Sequence, residues 1–514
     1  MAETADVVET VKQGYAFEGA ALELGALLVD GEPNPEAAVR IPLGMMNRHG
    51  LVAGATGTGK TKTLQLMAEQ LSAAGVAVFA ADIKGDLSGI SQPGAGGDKL
   101  LARTKGIGQD WTATGFPTEF YALGGQGTGV PIRATITSFG PVLLSKVLGL
   151  NDVQESSLGL IFHYADKAGL TLLDLKDLRA VIQHLTSDEG KEDLKQLGGL
   201  SAATAGVILR ALIGFADQGA EAFFGEPEFD TADLLQQRDG KGVVSLLELP
   251  NLQDRPALFS TFLMWLLADL FHDLPEVGDV DKPKLVFFFD EAHLLFNDAS
   301  KAFLESIAQT VRLIRSKGVG VFFVTQTPKD VPDEVLAQLG SRVQHQLRAH
   351  TPNDAKALKA TVSTFPSSSY DLGEVLTQLG IGEAIVTVMN EKGAPTPVAW
   401  TRLRAPQSLM APASAEQLAA TVQASANNAK YAELLDRESA YEVLAAKVQA
   451  GAAQAEAEQQ QAERAPREEP RPRAQKQEKS MVEQVIGSSA FKQFARSAGR
   501  EIVRGLFGAA RRRR

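Results

Sequence analysis

Along the chain the apolar positions change period several times. Ala21–Val29 and Val39–Leu43 are apolar runs on either side of Gly31-Glu32-Pro33-Asn34-Pro35, which predicts two strands around a turn. His49–Ala53 is a short apolar run followed by glycine; a helix is expected over about 60–74 and a strand over Gly75–Ala81. Strand, glycine-rich loop, helix, strand is the opening of a doubly wound α/β core. From about 140 to 237 the pattern turns helical: Leu143, Leu144, Val147 and Leu148 recur at helical intervals and Ser201–Ala216 repeats the spacing, which predicts an all-helical insertion. Strand-like runs resume at Gly242–Leu249, Lys284–Phe289, Val319–Thr325, Gln344–Arg348, Ala384–Met389 and Pro397–Leu403. After about residue 406 the composition shifts to Ala, Gln and Glu. There Leu434, Tyr441, Leu444 and Val448 share an arc of about 80° at 100° per residue, so a long amphipathic helix is expected.

The expected organisation is therefore a short N-terminal β segment (1–48), two halves of a core (49–139 and 238–405) divided by the helical insertion (140–237), an Ala/Gln-rich helix (406–464), a linker (465–480) and a basic amphipathic tail (481–514). The linker is charged and Pro-containing, and is expected to be disordered.

Length and composition narrow the class. The chain has 514 residues, enough for two to four structural units at about 150 residues each. Its hydrophobic fraction of 44% can fill a large core. It has no cysteine, which excludes disulfides, thiol nucleophiles and Cys-ligated metal sites. Met1–Thr10 carries three acids and no Lys or Arg, unlike a secretory signal. The greasiest stretch, Leu258–Leu274, is interrupted by Ser260, Thr261, Asp269, His272 and Asp273, so a buried core helix is expected there and no membrane span. A soluble, cytoplasmic protein is the expectation. Residues 465–514 hold thirteen Lys/Arg against five Asp/Glu, a net +8, which leaves −19 on the rest of a chain whose formal charge is −11. An acidic body with a basic tail implies a separate partner for the tail.

The strongest chemical signal is Gly54-Ala55-Thr56-Gly57-Thr58-Gly59-Lys60-Thr61, a full G-x-x-x-x-G-K-[ST] phosphate loop between an apolar strand and a helix. Its glycines let the backbone wrap a phosphate, and the amides and dipole of the following helix attract the anion. Lys60 offers a mobile charge for the β- and γ-phosphates, and Thr61 a hydroxyl for Mg²⁺. The second signal is Lys284–His293, where the buried run Leu285–Phe289 delivers Asp290 and Glu291 at its C-terminal end. Asp290 is expected in the Mg²⁺ shell and Glu291 as the group that positions or deprotonates the attacking water. The third is Val321–Gln326, a second apolar strand whose terminal Gln326 can sense the γ-phosphate.

Other residues stay open at this level. Asp82, in Ala80–Asp86, would sit in the metal–water network or cap a turn. Arg315, ahead of Arg312 and Arg342, is the candidate to stabilise transition-state charge in a neighbouring subunit; surface salt bridging is the competing fate. His293 couples nucleotide state to a partner or makes a plain polar contact. No histidine spacing suggests a metal site beyond Mg²⁺. In the tail, Lys492, Arg496, Arg500 and Arg504 form one ridge of a helix, opposite Phe491, Phe494, Ala498, Ile502 and Leu506. That ridge suits the protein's own acidic body, DNA phosphates or an anionic membrane.

Taken together, Gly54–Thr61, Phe287–His293 and Val311–Gly320 resemble the HerA/FtsK branch of P-loop ATPases. With Arg48–Ala53, Ile83–Gly89 and Leu339–His345 the text is similar to the YjgR-like bacterial family, which has a HerA-like helicase C-terminal domain. The resemblance covers about residues 15–405 and the basic C-terminal element. It implies a RecA-like ATPase core, ATP with Mg²⁺, and, as in HerA relatives, a hexameric ring that moves DNA. It also implies that Arg315 acts in trans. HerA proteins begin with a β-barrel domain, for which the segment before the loop is too short. The resulting expectation is an ATP-hydrolysing, Mg²⁺-dependent motor acting on DNA; the alternative is an ATP-driven protein-remodelling or regulatory switch indifferent to nucleic acid.

Overall fold

A computed structural model describes residues 2–196, 199–249, 256–297 and 301–464. The expected linker and basic tail lie outside the described residues. The strands are β1 (Ala21–Val29), β2 (Glu32–Pro42), β3 (Gly50–Ala53), β4 (Ala77–Asp82), β5 (Thr118–Leu123), β6 (Val130–Ile132), β7 (Gln237–Arg238), β8 (Lys241–Gly242), β9 (Val244–Glu248), β10 (Leu285–Phe289), β11 (Val319–Thr325), β12 (Ser341–Gln344), β13 (Glu383–Thr387) and β14 (Ala399–Leu403). Twelve of them make one sheet in the order β2-β1-β14-β13-β12-β3-β11-β10-β4-β9-β5-β6, and β7 and β8 form a separate hairpin. From β12 through β6 every pairing is parallel; from β12 to β2 every pairing is antiparallel.

The parallel strands are buried on both faces, which is why β4, β9, β10 and β11 read as continuous apolar runs without alternation. Successive side chains still divide between two cores. Phe287, Phe289 and Phe323 pack on one face with Phe262 and Trp265 of the helix Pro256–Asp273 and with the helical segment. Val286, Phe288 and Phe322 pack on the other with Leu64, Met67 and Leu71 of the helix Lys60–Ala73.

Between β6 and β7 the chain is helical, with helices at Ile136–Val147, Asp152–Lys167, Leu175–Thr186, Lys191–Gln196 and Ala202–Asp217. Side chains of Asn151, Asp174 and Ser201 cap three of these starts, the first two in full capping boxes. The wide separation of Lys60 from Asp290 in sequence thus reflects this helical segment together with β4, β5, β6 and β9.

Three expectations need correction. The first hairpin does not turn at Gly31–Pro35: Asp30 (φ 53°) and Gly31 (φ 82°) make a two-residue turn, and β2 pairs through Pro33 and Asn34 before its register with β1 jumps past Pro35, Glu36 and Ala37. Two consecutive positive φ angles at Asp-Gly suit the twist of a hairpin, and prolines are tolerated because β2 is the outer edge of the sheet. A helix at Ala2–Gly14, not foreseen, precedes it. Finally, no single helix spans 406–464. There are helices at Ala415–Ala424, Ala426–Tyr431 and Ala440–Arg464. Ser425 ends the first and caps the second, and Leu434 falls in a loop where Leu435 N–H donates to the Glu226 carbonyl. Ser439 opens the third, paired with Glu442.

The N-terminal hairpin extends the sheet by pairing β1 with β14. At Gly25 a Cβ would stand 2.1 Å from the Arg402 carbonyl oxygen, at a register shift in the hairpin. Gly25→Val should therefore cost about 1–3 kcal/mol or more by overpacking. Chemical denaturation should show lower stability and limited proteolysis faster cleavage before residue 48; an unchanged midpoint and digest would contradict this account of the edge.

Candidate nucleotide site

Because the strands run parallel, β3, β4, β9, β10 and β11 all end on one edge of the sheet, and the polar residues that follow them meet there. β3 feeds the loop Gly54–Gly59. Gly54 N–H donates to the Thr325 carbonyl at 3.1 Å and Ala55 N–H to the Gln346 carbonyl at 2.7 Å, so β11 and the end of β12 clamp the loop's base. Gly57 (φ 83°) and Gly59 (φ 112°) hold left-handed backbone that a side chain would strain. No side chain caps the helix that starts at Lys60, which leaves its first amides to face an anion. The Lys60 ammonium lies 3.1 Å from the Ala55 carbonyl. Burial lowers its pKa, against the charges of Glu291 and Asp290, the two acids that act on it most strongly. Thr61 is half-buried in the first turn.

The fully buried β10 delivers Asp290 (3% exposed) and Glu291 (7% exposed) to the same edge. Glu291 N–H donates to Asp290 Oδ1 at 2.9 Å, and Ala292 N–H to the Val324 carbonyl, hooking this turn onto β11. Glu291 is a rare non-glycine in left-handed backbone (φ 48°), a strain of the kind that persists where surrounding structure enforces it. The two acids diverge. Burial, then the charge of Glu291, pushes Asp290 up to about 6. Burial also works to raise Glu291, but an ion pair with Lys84 overrides it and holds the carboxyl below its usual range. His293 Nδ1 stands 3.3 Å from the other Glu291 oxygen, so His293 contacts the acid pair directly. Gln326 follows the last residue of β11, exposed at the same edge and beside the turn of β10. Asp330 fixes the segment after it, accepting from Thr325 Oγ1 at 2.6 Å and from Thr327 N–H at 3.0 Å.

Asp82 resolves to the second of its two readings. It is fully buried and accepts from the N–H groups of Gly85, Asp86 and Leu87, capping the turn after β4. The arginines lie elsewhere. Arg315 opens the turn before β11, and that seven-residue strand separates it from Gln326 by about 20 Å. Arg312 is exposed nearby, and a concavity of about 300 Å³ is lined by both and by Asp279. Arg48, whose guanidinium is 3.3 Å from Asp279, shares this end. Arg342 is the second residue of β12, over the Phe365 ring and bonded to the Thr364 hydroxyl.

Several residues of the site carried no assigned role in the sequence. His345 lies fully buried under the loop, its Nε2 2.9 Å from Thr63 Oγ1. A Cβ on Gly54 would come within 2.4 Å of the His345 Cβ. Burial, aided by the Lys60 charge, lowers its pKa to about 3, so the ring packs as a neutral group. Glu248 ends β9 beside Asp82. An acid at the end of a buried strand was the signal used for Asp290, and it was available for Glu248 too.

A profile of the helicase HerA-like C-terminal family matches residues 28–514. The chain belongs to that family. It is 22% identical over 385 residues to the DNA double-strand break repair helicase HerA of Saccharolobus solfataricus, covering 74% of this chain and 68% of that one. It is 31% identical over 153 residues to the protein named "Probable helicase MJECL08" of Methanocaldococcus jannaschii, 28% of each chain. Among solved structures, the bacterial conjugative coupling protein TrwB superposes with TM-score 0.50 at 17% identity, covering 79% of this chain and 94% of that one. That likeness bears on the fold, a RecA-like P-loop ATPase core. The HerA/FtsK superfamily to which the chain belongs consists of nucleotide-driven P-loop motors. Among the described residues no helix is long and apolar enough to cross a membrane.

The raised pKa of Glu248 yields a stability test. Burial, with the Asp82 charge adding, moves it from 4.5 to about 8. A carboxyl with a raised folded-state pKa favours the fold fully below 4.5, and that contribution is lost as pH rises through about 8. Glu248→Gln should therefore melt a few degrees above the wild type at pH 9, with the gap closing toward pH 4.5. A pH-independent difference in melting temperature would refute this.

Proposed function

We propose that the chain is a Mg²⁺-dependent ATPase motor of the HerA/FtsK type, working as an oligomeric ring on DNA in the cytoplasm. The observation that carries the hydrolytic part is that β11 ties the phosphate loop and the acid pair to one edge, the Thr325 carbonyl accepting from Gly54 N–H and the Val324 carbonyl from Ala292 N–H. DNA as the track, and a hexamer as the form, rest on the family and on the relative named as a DNA repair helicase.

In this reading Gly54, Ala55, Thr56, Gly57, Thr58 and Gly59 wrap the phosphates with their backbone, and the uncapped start of the helix Lys60–Ala73 adds its amides and dipole. Lys60 binds the β- and γ-phosphates. The Thr61 hydroxyl and the Asp290 carboxylate are hard oxygen donors, a set suited to Mg²⁺, whose other ligands are commonly phosphate oxygens and water. When bound, the ion neutralises charge on the phosphoryl oxygens. Glu291 accepts a proton from the water that attacks the γ-phosphorus. Its lowered pKa keeps it ionised, and the strained backbone fixes its direction. Gln326 senses the γ-phosphate from the neighbouring strand. Arg315 cannot reach this edge from its own strand and instead serves the nucleotide of an adjacent subunit.

Substitution separates these roles. Glu291→Gln should lower kcat by about 100-fold or more while ATP binding persists, as removal of a general base does. Lys60→Ala should abolish both turnover and tight binding. Unchanged turnover in Glu291→Gln, measured by phosphate release, would sink the mechanism. Turnover in the wild type should rise with single-stranded or duplex DNA at low salt; indifference to DNA with nucleotide-dependent capture of a protein would favour the remodelling alternative.

Subunit mixing tests the trans arginine. Arg315→Ala and Lys60→Ala should each be inactive alone. Mixed, they pair intact halves at interfaces and should regain up to roughly a quarter of wild-type turnover. No recovery on mixing, with assembly confirmed by mass, would place Arg315 outside the reaction.

A further inference from the structure

Two groups at the nucleotide edge are left without a role by hydrolysis alone, and they flank the same turn. Lys84 lies two residues past β4, its side chain 40% exposed, with its ammonium resting on Glu291 Oε1. The second Glu291 oxygen, Oε2, is buried and makes no hydrogen bond among the described residues, though His293 Nδ1 stands 3.3 Å away. On the other side of the turn stands Glu248, 8% exposed, whose Oε1 is likewise buried without a hydrogen-bond partner. Its strand neighbour Asp82 cannot serve, since that carboxylate accepts from three backbone amides. A buried carboxyl oxygen with no hydrogen-bond partner costs free energy.

The backbone that carries Lys84 already runs beside Glu248, because a Cβ at Gly85 would lie 3.7 Å from Glu248 Oε2. Adjacent Cα atoms are about 3.8 Å apart and an extended lysine stem reaches roughly 6 Å, so rotation of the side chain alone can bring the ammonium to that carboxyl. Glu248 would release its proton to solvent as the ammonium arrived.

We propose that Lys84 is a positioning residue with two seats, holding the Glu291 carboxylate in reserve when it rests there and freeing it for the attacking water when it moves to Glu248. This rests on the hydrolytic reading above. An ammonium on a base's own oxygen competes with water for that oxygen and weakens it as a proton acceptor. Moving it exchanges one charge-assisted pair for another, so the balance is shallow and whatever binds beside it can tip it.

A two-by-two kinetic comparison tests the idea on the full chain. Glu248→Gln removes the second seat and should lower kcat about tenfold with KM for ATP nearly unchanged. Lys84→Met leaves nothing to hold Glu291 back and should raise kcat a few-fold. Adding Glu248→Gln to Lys84→Met should then change nothing. An equal loss from Glu248→Gln in both backgrounds, or a fall in kcat from Lys84→Met, overturns the proposal. If a variant does not fold, a crystal structure of the wild type with a non-hydrolysable ATP analogue decides instead. The Lys84 ammonium within hydrogen-bond distance of Glu248 supports it; an ammonium still on Glu291, or on a phosphate, overturns it. A wild type that binds but never hydrolyses ATP removes the hydrolytic reading and this inference together, whereas wild-type turnover with an additive cycle removes this inference alone.

Discussion

The parallel direction of β3, β11, β10, β4 and β9 is the constraint on which the site depends. Each strand is apolar along its length, because both of its faces are covered, and can be polar only where it leaves the sheet. Running the strands the same way puts all those exits on one edge. The phosphate loop, Asp82, Glu248, the Asp290–Glu291 pair and Gln326 are the residues that follow. No contact between these side chains has to be strong for them to assemble, since backbone ladders hold them in register.

Gathering charge on a buried edge has a cost, and the structure shows where it falls. Asp290 and Glu248 are driven toward their neutral forms by burial, and Lys60 is shifted down. Glu291 alone is held ionised, by Lys84. Neighbouring carboxyls pushed in opposite directions are a recurrent sign of divided chemical labour. The helix behind the loop is also tied down away from the site. Its Glu69 accepts from the main chain at Gln407 and Ser408, and Gln65 donates to Ser408 and Leu409, so the strap after β14 anchors the element that carries Lys60.

How much of this the sequence disclosed depends on how local each signal is. The phosphate loop and the two strand-end motifs are contiguous, and their chemistry is legible without a fold. The family resemblance was carried by the same local text. The Asp30-Gly31 turn was equally local but was masked by the proline-rich segment beside it, whose prolines sit on an edge strand of the described sheet, Pro35 at a break in its pairing. Lys84 with Glu291, and Glu248 with Asp82, are pairs made by strand order. That order inserts β10 between β11 and β4, though 207 residues separate Lys84 from Glu291. Periodicity cannot supply such an order. His345 lay inside a recognised stretch, yet its role as a neutral prop under Gly54 is visible only where β12 meets β3.

Arg348 meets the nucleotide edge, its guanidinium donating to the Thr56 carbonyl at 3.2 Å, but three other arginines lie at the opposite one. Arg48, Arg312 and Arg315 cluster where β3 and β11 begin, around Asp279, and the length of β11 stands between them and the phosphate loop. Burial and the Arg48 charge lower the Arg315 pKa, so this end is a concentration of positive charge that a single acid only partly balances. A strand cannot be shortened without losing its ladder, so no side-chain rotation carries Arg315 to its own chain's phosphates. Two opposite edges of the sheet therefore differ in charge, one carrying the acid pair beside the phosphate loop and the other a cluster of guanidinium groups. In the ring proposed above, head-to-tail association would set these two edges against each other.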